Sequence, residues 1–220
     1  MIHFQDVSKH YDTHTALRKV TFSIEKGEMI FITGPSGSGK STLLKLIYLA
    51  ETPDEGTIRV ADCETNTLEE SRIAMFRRNI GVVFQDFRLL NNRNIFENVA
   101  LALRIRGVDE RELKARVFES LKIANLRHKA DSYPQTLSGG EQQRVSIARA
   151  IVSEPMIVLA DEPTGNVDPE TSDGIMKTFK DINARGSTIL IATHNRDLFK
   201  NSGRRVFKLD FGNFAGEEIG

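Results

Sequence analysis

The stretch Gly34-Pro35-Ser36-Gly37-Ser38-Gly39-Lys40-Ser41-Thr42 decides the fold of this 220-residue chain. The apolar run at 29–33 precedes it and predicts a buried strand, and an apolar segment follows it and predicts a helix. Glycine-rich backbone between a strand and a helix lets successive N–H groups converge on an anion, and the helix N-terminus adds the positive end of its dipole. The stretch therefore predicts a phosphate-binding loop.

Two side chains of this loop extend the prediction from phosphate to nucleotide. The sequence fits G-x-x-x-x-G-K-[ST], in which Lys40 places a point charge on the outer phosphates and the Ser41 hydroxyl can ligate Mg²⁺. The alternative is a flexible loop of glycine and serine with no ligand. The order strand, loop, helix favours nucleotide binding, because the motif acts only in that context.

Length and composition limit the class of protein. A chain of 220 residues forms one large domain or a core with a subdomain. Basic and acidic residues number 30 each, which argues against a dedicated nucleic-acid binder, since such proteins are basic overall or carry a basic stripe. The single cysteine, Cys63, excludes an intrachain disulfide and fits a reducing compartment.

The sequence shows no pattern typical of a secretion signal or of a membrane-spanning segment. Its first residues lack a basic flank followed by an apolar core, so we expect no signal peptide. No apolar run approaches the roughly 18 residues of a membrane span. Any role at a membrane is therefore expected to come through a partner.

Strand and helix patterns alternate along the chain, which predicts an α/β protein. The predicted strands are 2–7, 20–24, 29–33, 57–60, 80–84, 156–163 and 187–192, with a closing hairpin of 205–209 and 213–217. The predicted helices are 68–78 and 170–184, a helix after the phosphate-binding loop, a helix opening at 137–144 and a helical region over 95–123. The helical region contains no strand pattern and is predicted as an insertion.

Polar residues follow three of the predicted buried strands. Gln85 comes after the first, Asp161 and Glu162 end the second, and His194 follows the third. Ligands of α/β sheets bind at the carboxyl ends of strands, so Asp161 is predicted to hold a metal through water and Glu162 to polarise an attacking water. A strand-end cap is the alternative for Gln85, and a structural role is the alternative for His194.

Two further stretches are candidates for ligand contact. Tyr11 lies in a polar segment between the first two predicted strands, where an exposed aromatic ring could stack on a purine or could simply pack. Ser138-Gly139-Gly140 opens a predicted helix and offers a hydroxyl and free N–H groups, which makes it either a second anion site or an ordinary N-cap.

Taken together, these residues resemble the ATP-binding cassette family over nearly the whole chain. Residues 34–42 match its Walker A motif, 157–162 match Walker B with the catalytic glutamate, and 137–144 match the family signature. Further matches are Gln85 to the Q-loop, His194 to the switch histidine, Tyr11 to the adenine-stacking aromatic and Asn166-Val167-Asp168 to the D-loop.

The resemblance implies a fold and a set of site residues. The fold is a single nucleotide-binding domain over 1–220, with a P-loop NTPase core of a mixed sheet and flanking helices, an antiparallel β subdomain and a helical signature subdomain inserted at about 86–153. The cofactors are ATP and Mg²⁺. The implied catalytic residues are Glu162, His194 and Gln85. The implied metal ligands are Ser41, Gln85 and Asp161. The implied nucleotide-binding residues are Tyr11, the loop from Gly34 to Thr42, Ser138, Gly139, Gly140 and Asp168.

The resemblance also implies how such a protein works. Two copies pair head to tail, and each ATP lies between the 34–42 loop of one copy and residues 138–140 of the other. ATP closes this homodimer and hydrolysis opens it, and a polytopic membrane protein receives the motion on the surface beside Gln85. We therefore expect residues 84–99 to carry partner specificity and the chain to sit peripherally on the cytoplasmic face of the plasma membrane.

Within the family, the chain resembles ATPases of cell division. The features are Phe84-Gln85-Asp86, Leu89-Leu90 and Asn98-Val99-Ala100. ATPases of lipoprotein release and macrolide export share the paired leucines, so export remains the alternative. An ATP-gated scaffold with little hydrolysis is disfavoured by Glu162 and His194. A cassette acting on DNA or ribosomes usually has two cassettes or long inserts, which this chain lacks.

Overall fold

A computed structural model describes residues 1–165 and 167–220 of the chain. Asn166, the first residue of the predicted D-loop, lies outside the described residues. The chain divides into two compact units, Met1–Arg77 with Thr188–Gly220, and Arg78–Ser187. Among the described residues, no helix combines the length and the hydropathy that crossing a bilayer requires.

The first unit contains eight strands and two helices. They are β1 (Ile2–Tyr11), β2 (His14–Ile24), β3 (Met29–Thr33), α1 (Lys40–Ile47), β4 (Glu55–Val60), β5 (Cys63–Glu64), α2 (Glu70–Arg77), β8 (Thr188–Ala192), β9 (Arg205–Asp210) and β10 (Asn213–Ile219).

The second unit is mainly helical. It contains β6 (Ile80–Val83), α3 (Ile95–Arg104), α4 (Glu110–Ile123), α5 (Gly139–Ile151), β7 (Ile157–Asp161) and α6 (Pro169–Ala184).

One sheet of the first unit is antiparallel, with strand order β2-β1-β4-β5. The predicted first two strands are too short, because β1 and β2 pair as far as Tyr11 opposite His14. Register irregularities between Val7 and His10 interrupt the alternation of apolar and polar residues, which hides the outer half of the hairpin from a pattern search. Tyr11 is therefore the last residue of β1 and does not lie between the strands.

The other sheet of this unit is mixed, as expected. Strand β3 pairs in parallel with β8 and β9, and β10 pairs antiparallel with β9. All five residues of β8 are buried, which is the burial that a strand covered on both faces needs. The polar residues that follow β3 and β8 thus leave the sheet at the same edge, because parallel strands end on the same side.

Phenylalanine side chains join the two sheets of the first unit. The ring of Phe22 on β2 stacks on Phe4 with centroids 4.6 Å apart, and it lies 5.0 Å from Phe207 on β9. Phe214 on β10 meets Phe207 edge-on at 5.4 Å. Burial of these rings packs the antiparallel sheet against the closing hairpin.

The second unit pairs β6 with β7 in parallel and surrounds a separate apolar core with α3, α4 and α5. The predicted helical region over 95–123 is two helices. The break contains Gly107 in a left-handed conformation, with φ of 71°, and Asp109, whose side chain caps α4 by accepting from the Arg111 N–H. The core consists of Ile95, Val99, Ala100, Leu103, Leu113, Val117, Leu121, Ala124, Leu126, Ala130, Leu137, Val145, Ala148 and Val152.

Candidate functional site

The backbone of the 34–42 loop needs glycine at two close approaches. A Cβ atom on Gly34 would lie 2.2 Å from the carbonyl oxygen of Leu209, and one on Gly39 would lie 2.4 Å from that of Ala16. Gly39 also has φ of 103° and immediately precedes α1. The loop thus wraps closely around the start of the helix, which is the geometry that turns backbone N–H groups inward toward an anion.

The Lys40 side chain is folded into the loop. Its Nζ donates to the carbonyl oxygens of Gly34 at 2.8 Å and Pro35 at 3.0 Å, and the residue is 7% exposed. The Ser38 hydroxyl is buried without a hydrogen-bond partner among the described residues. A buried ammonium and an unpaired hydroxyl beside a helix N-terminus fit the phosphates of a nucleotide.

The closing hairpin touches the loop, which the sequence patterns did not predict. The Gly212 N–H donates to the carbonyl oxygen of Ser38 at 3.2 Å, and the Gly212 carbonyl accepts from the Arg18 N–H at 2.8 Å. The turn therefore ties the loop to β2. The turn residues 210–212 were recognisable in the sequence, but no local signal indicated what they contact.

Tyr11 is held by its own hairpin. Its ring stacks on His14 with centroids 5.4 Å apart, and the Lys9 Nζ lies 5.7 Å from the ring centroid. The Tyr11 hydroxyl is buried and has no hydrogen-bond partner among the described residues. The assignment of Tyr11 to adenine stacking stays a prediction.

His194 follows β8, and the 34–42 loop follows β3. Because β3 and β8 are parallel, both lie at the same edge of the sheet. The preceding Thr193 is fully buried, and its N–H donates to the Ile32 carbonyl at 2.9 Å. The Thr193 hydroxyl also accepts from the Asn195 N–H at 3.1 Å. His194 itself is exposed and follows this well-fixed backbone.

In the second unit, the strand predicted over 156–163 is shorter, since β7 runs from Ile157 to Asp161. Asp161 is the last strand residue and Glu162 follows it, and both are partly buried. Glu162 has φ of 45°, a left-handed conformation that is unfavourable for a residue with a long side chain. Non-glycine residues held in this way concentrate at functional sites, which favours a chemical role for Glu162.

The predicted second anion site is a helix start with a capping box. The Ser138 hydroxyl accepts from the Glu141 N–H at 3.3 Å, and the Glu141 carboxylate accepts from the Ser138 N–H at 3.0 Å. A Cβ on Gly140 would lie 2.4 Å from Cγ2 of Thr171, so glycine allows α5 to start close against α6. Ser138 is the N-cap, and its role toward a nucleotide stays a prediction.

This cap predicts a pH dependence of stability. A hydrogen bond from the Lys129 ammonium, followed by the one from the Ser138 N–H, holds the pKa of the Glu141 carboxyl below its usual range. A carboxyl with a depressed folded pKa stabilises the protein above its unfolded pKa, about 4.3 for glutamate, and loses that effect as the pH falls through the folded pKa. We expect Glu141→Gln to lower stability at neutral pH and to reduce the further loss on acidification.

Thermal unfolding of the parent and the variant from pH 7 down to about pH 3 measures this difference in stability. The stabilisation by the Glu141 carboxylate is lost only when the carboxylate is protonated. Glu112→Gln is the control, since Glu112 on α4 is an exposed carboxyl paired with Arg116 at 2.8 Å. If the stability of Glu141→Gln fell as steeply on acidification as that of the parent protein, the pH dependence could not be attributed to the Glu141 carboxyl.

Asp168 also caps a helix. Its Oδ1 accepts from the Thr171 N–H at 2.9 Å and its Oδ2 accepts from the Thr171 hydroxyl at 2.6 Å. The bond from the Thr171 hydroxyl is the main cause that lowers the pKa of the Asp168 carboxyl. The carboxylate therefore sets the start of α6, and its contact with the nucleotide stays a prediction.

The donor set predicted for a metal fits Mg²⁺. Ser41 offers a hydroxyl, Gln85 an amide oxygen and Asp161 a carboxylate, and Mg²⁺ takes oxygen ligands and is usually held by one or two carboxylates with substrate phosphates and waters. The described residues contain no group of three or more His, Cys, Asp or Glu side chains that could form an all-protein metal cage. The three ligands stay a prediction.

The predicted residues fall into two groups. The first unit contains the 34–42 loop, Tyr11 and His194, and the second contains Gln85, Asp161, Glu162, residues 138–140 and Asp168.

Comparison with known proteins shows the family to which the chain belongs. Residues 17–165 match the family model described as ABC transporter. The cell division ATP-binding protein FtsE of Bacillus subtilis (strain 168) is 47% identical over 219 residues, which cover 99% of this chain and 96% of that protein. FtsE of Escherichia coli (strain K12) is 45% identical over 217 residues, which cover 98% of each.

A solved structure agrees with the fold. The dimeric post-hydrolysis state of the ATP-binding cassette MJ0796, bound to ADP and Pi, superimposes with a TM-score of 0.92. It is 37% identical in sequence, and the match covers 100% of this chain and 98% of that one. The expected architecture of a mixed sheet, an antiparallel sheet and a helical subdomain is thereby confirmed.

Proposed function

Because this chain belongs to the ABC transporter family, we propose that it is the ATP-binding and ATP-hydrolysing subunit of a membrane complex that acts in cell division. The chemistry rests on one observation, the 34–42 loop with the buried Lys40 ammonium bonded to two loop carbonyls. The cellular role is supported by the FtsE relatives, which match the chain over almost its full length.

The predicted site residues have separate roles in ATP hydrolysis. Lys40 and the loop N–H groups hold the phosphates, and Mg²⁺, when bound, neutralises charge on the transferred phosphoryl group. Glu162 orients and polarises the attacking water, and His194 and Gln85 assist from the ends of their strands. The left-handed backbone at Glu162 and the bonded backbone before His194 fix where these two side chains leave the main chain, which limits the reorganisation of the backbone when the nucleotide binds.

ATP binding is coupled to association of two copies. The loop at 34–42 of one copy and residues 138–140 of the other enclose each nucleotide, which gives two equivalent sites in a symmetric homodimer. The exposed Ser138 at the start of α5 supports this arrangement, since a helix N-terminus offers N–H groups to an anion. Closure on ATP and opening after hydrolysis form the motion that a partner receives.

The partner is a polytopic membrane protein resembling FtsX. Residues 84–99 form its docking surface, and the chain binds peripherally at the cytoplasmic face of the plasma membrane, at the division site. The complex transmits the ATP-driven change through the membrane to regulate cell-wall hydrolysis. The alternative is the ATPase subunit of a lipoprotein-release or macrolide-type exporter, which the Leu89-Leu90 pair also fits.

Affinity capture from detergent-solubilised native membranes tests this role. Tagged Glu162→Gln protein with MgATP is the bait, and tagged Lys40→Ala protein, which is expected to bind ATP more weakly, is the matched control at the same MgATP concentration. A polytopic protein with a compact outer domain, recovered with division-site proteins and only by the first bait, is the expected result. Recovery of a subunit with a large substrate-handling domain would indicate export, and recovery of no membrane protein would contradict the proposed coupling.

A further inference from the structure

The segment between β6 and α3 starts with a strained turn. Phe87 has φ of 56° and Arg88 has φ of 50°, so two consecutive residues with large side chains adopt the left-handed conformation. Such a conformation is unfavourable outside glycine and persists only where surrounding contacts enforce it. Gln85 lies two residues before this turn.

Within the segment, the Arg88 side chain pairs with Asp86 and lies over the Phe84 ring. From outside the segment, the turn is held by Arg149 on helix α5. Its Nη1 donates to the Arg88 carbonyl at 2.5 Å and its Nη2 donates to the Phe87 carbonyl at 2.7 Å. A planar guanidinium with two parallel donors fits two adjacent carbonyls, which a lysine cannot reproduce. Burial is the main cause that lowers the pKa of Arg149, so this cation is partly withdrawn from water to make the contact.

The far end of the segment is fixed separately. The fully buried Asn98 accepts from the Leu90 N–H at 2.7 Å, and its amide donates to the carbonyls of Leu90, Arg93 and Asn94 at 2.9–3.1 Å. The Gln135 amide donates to the Asn91 carbonyl at 2.9 Å. Among the described contacts, Arg149 is the residue of another element that binds the left-handed turn itself.

We infer that Arg149 is a positioning residue for Gln85, because it clamps the left-handed turn at Phe87 and Arg88 that follows Gln85. The inference rests on the proposed function for the role of Gln85 toward Mg²⁺, and the clamp itself stands on the geometry alone. Since Ser138 caps α5 and Arg149 lies near the other end of the helix, α5 connects the predicted nucleotide-contacting cap with the segment predicted to meet the membrane partner.

Hydrogen exchange of the nucleotide-free protein tests the clamp directly. In Arg149→Ala, backbone amides of 87–89 should exchange faster by about tenfold, because opening of the turn no longer has to break the two guanidinium hydrogen bonds. Arg149→Lys should fall between the parent and the alanine variant. Arg116→Ala is the control, since Arg116 on α4 pairs with Glu112 and should leave this segment unchanged.

A second variant separates the turn from general loss of packing. Glycine adopts the left-handed conformation without strain, so adding Phe87→Gly to Arg149→Ala should return part of the lost protection. It also provides the test if Arg149→Ala alone fails to fold. Exchange that is equal in the parent and Arg149→Ala, or no recovery on adding Phe87→Gly, would overturn the clamp.

The effect on Gln85 is measured by the gain in affinity for a non-hydrolysable ATP analogue when Mg²⁺ replaces EDTA. We expect Arg149→Ala and Gln85→Ala each to reduce this gain by about tenfold, the size typical when a group supporting a metal ligand is removed. The double variant should be no worse than Gln85→Ala alone, since both changes act on one contact. Affinity in EDTA should stay within about twofold of the parent, because only Mg²⁺ binding involves Gln85.

The outcomes distinguish the two proposals. A parent protein that does not bind the analogue would contradict the proposed function, while the exchange result would still decide the clamp. Additive losses in the double variant, or an equal loss of affinity in EDTA, would mean that Arg149 acts on folding in general and not through Gln85.

Discussion

Replacing Glu162 with glutamine is expected to reduce steady-state ATP hydrolysis by at least about a hundredfold, the range by which a positioned general base accelerates a reaction. Glutamine keeps the shape of the side chain but cannot polarise water as a carboxylate does. Binding of MgATP should persist, because the phosphate contacts come from the 34–42 loop. The variant should therefore accumulate as an ATP-bound dimer.

Phosphate release and light scattering at saturating MgATP measure the two effects together. Glu154→Gln is a matched control, because Glu154 is an acid of the same unit that also has a left-handed backbone, with φ of 51°. Its hydrolysis and its oligomeric state should equal those of the parent. A Glu162→Gln protein that stays monomeric with bound MgATP would contradict the sandwich dimer, and one that hydrolyses at the parent rate would remove Glu162 from the mechanism.

Replacing Lys40 with alanine is expected to weaken ATP binding by about ten- to a hundredfold, since a hydrogen bond to a charged group contributes about 1.5–3 kcal/mol. The change removes the ammonium from the phosphates. It also leaves the carbonyls of Gly34 and Pro35 without their donor, which loosens the loop. Both consequences lower affinity for the same ligand.

Equilibrium titration with ATP measures this loss, and thermal unfolding without nucleotide checks that the variant is folded. Lys45→Ala is the matched control, because Lys45 is an exposed lysine of the same helix, α1. Its affinity should match that of the parent. Equal affinities for Lys40→Ala and the parent would exclude Lys40 from phosphate binding.

The sequence by itself determined the secondary structure around the candidate site. The apolar run at 29–33 is β3, and the 34–42 loop leads into α1. Asp161 ends β7, Ser138 caps α5, and the turn at 210–212 joins β9 to β10. These features were readable because each depends on residues close together in the chain, where periodicity, turn chemistry and capping act.

The tertiary structure alone decided which distant groups meet. The sequence pattern puts Tyr11 outside the strands, because the irregular pairing of β1 with β2 disrupts the alternation that marks a strand. The contact of Gly212 with the Ser38 carbonyl, and that of Arg149 with the turn at 87–88, join backbone groups to partners far away in sequence. Backbone carbonyls carry no residue-specific signal, so a sequence shows that an arginine or a turn is present but not which carbonyl it will reach.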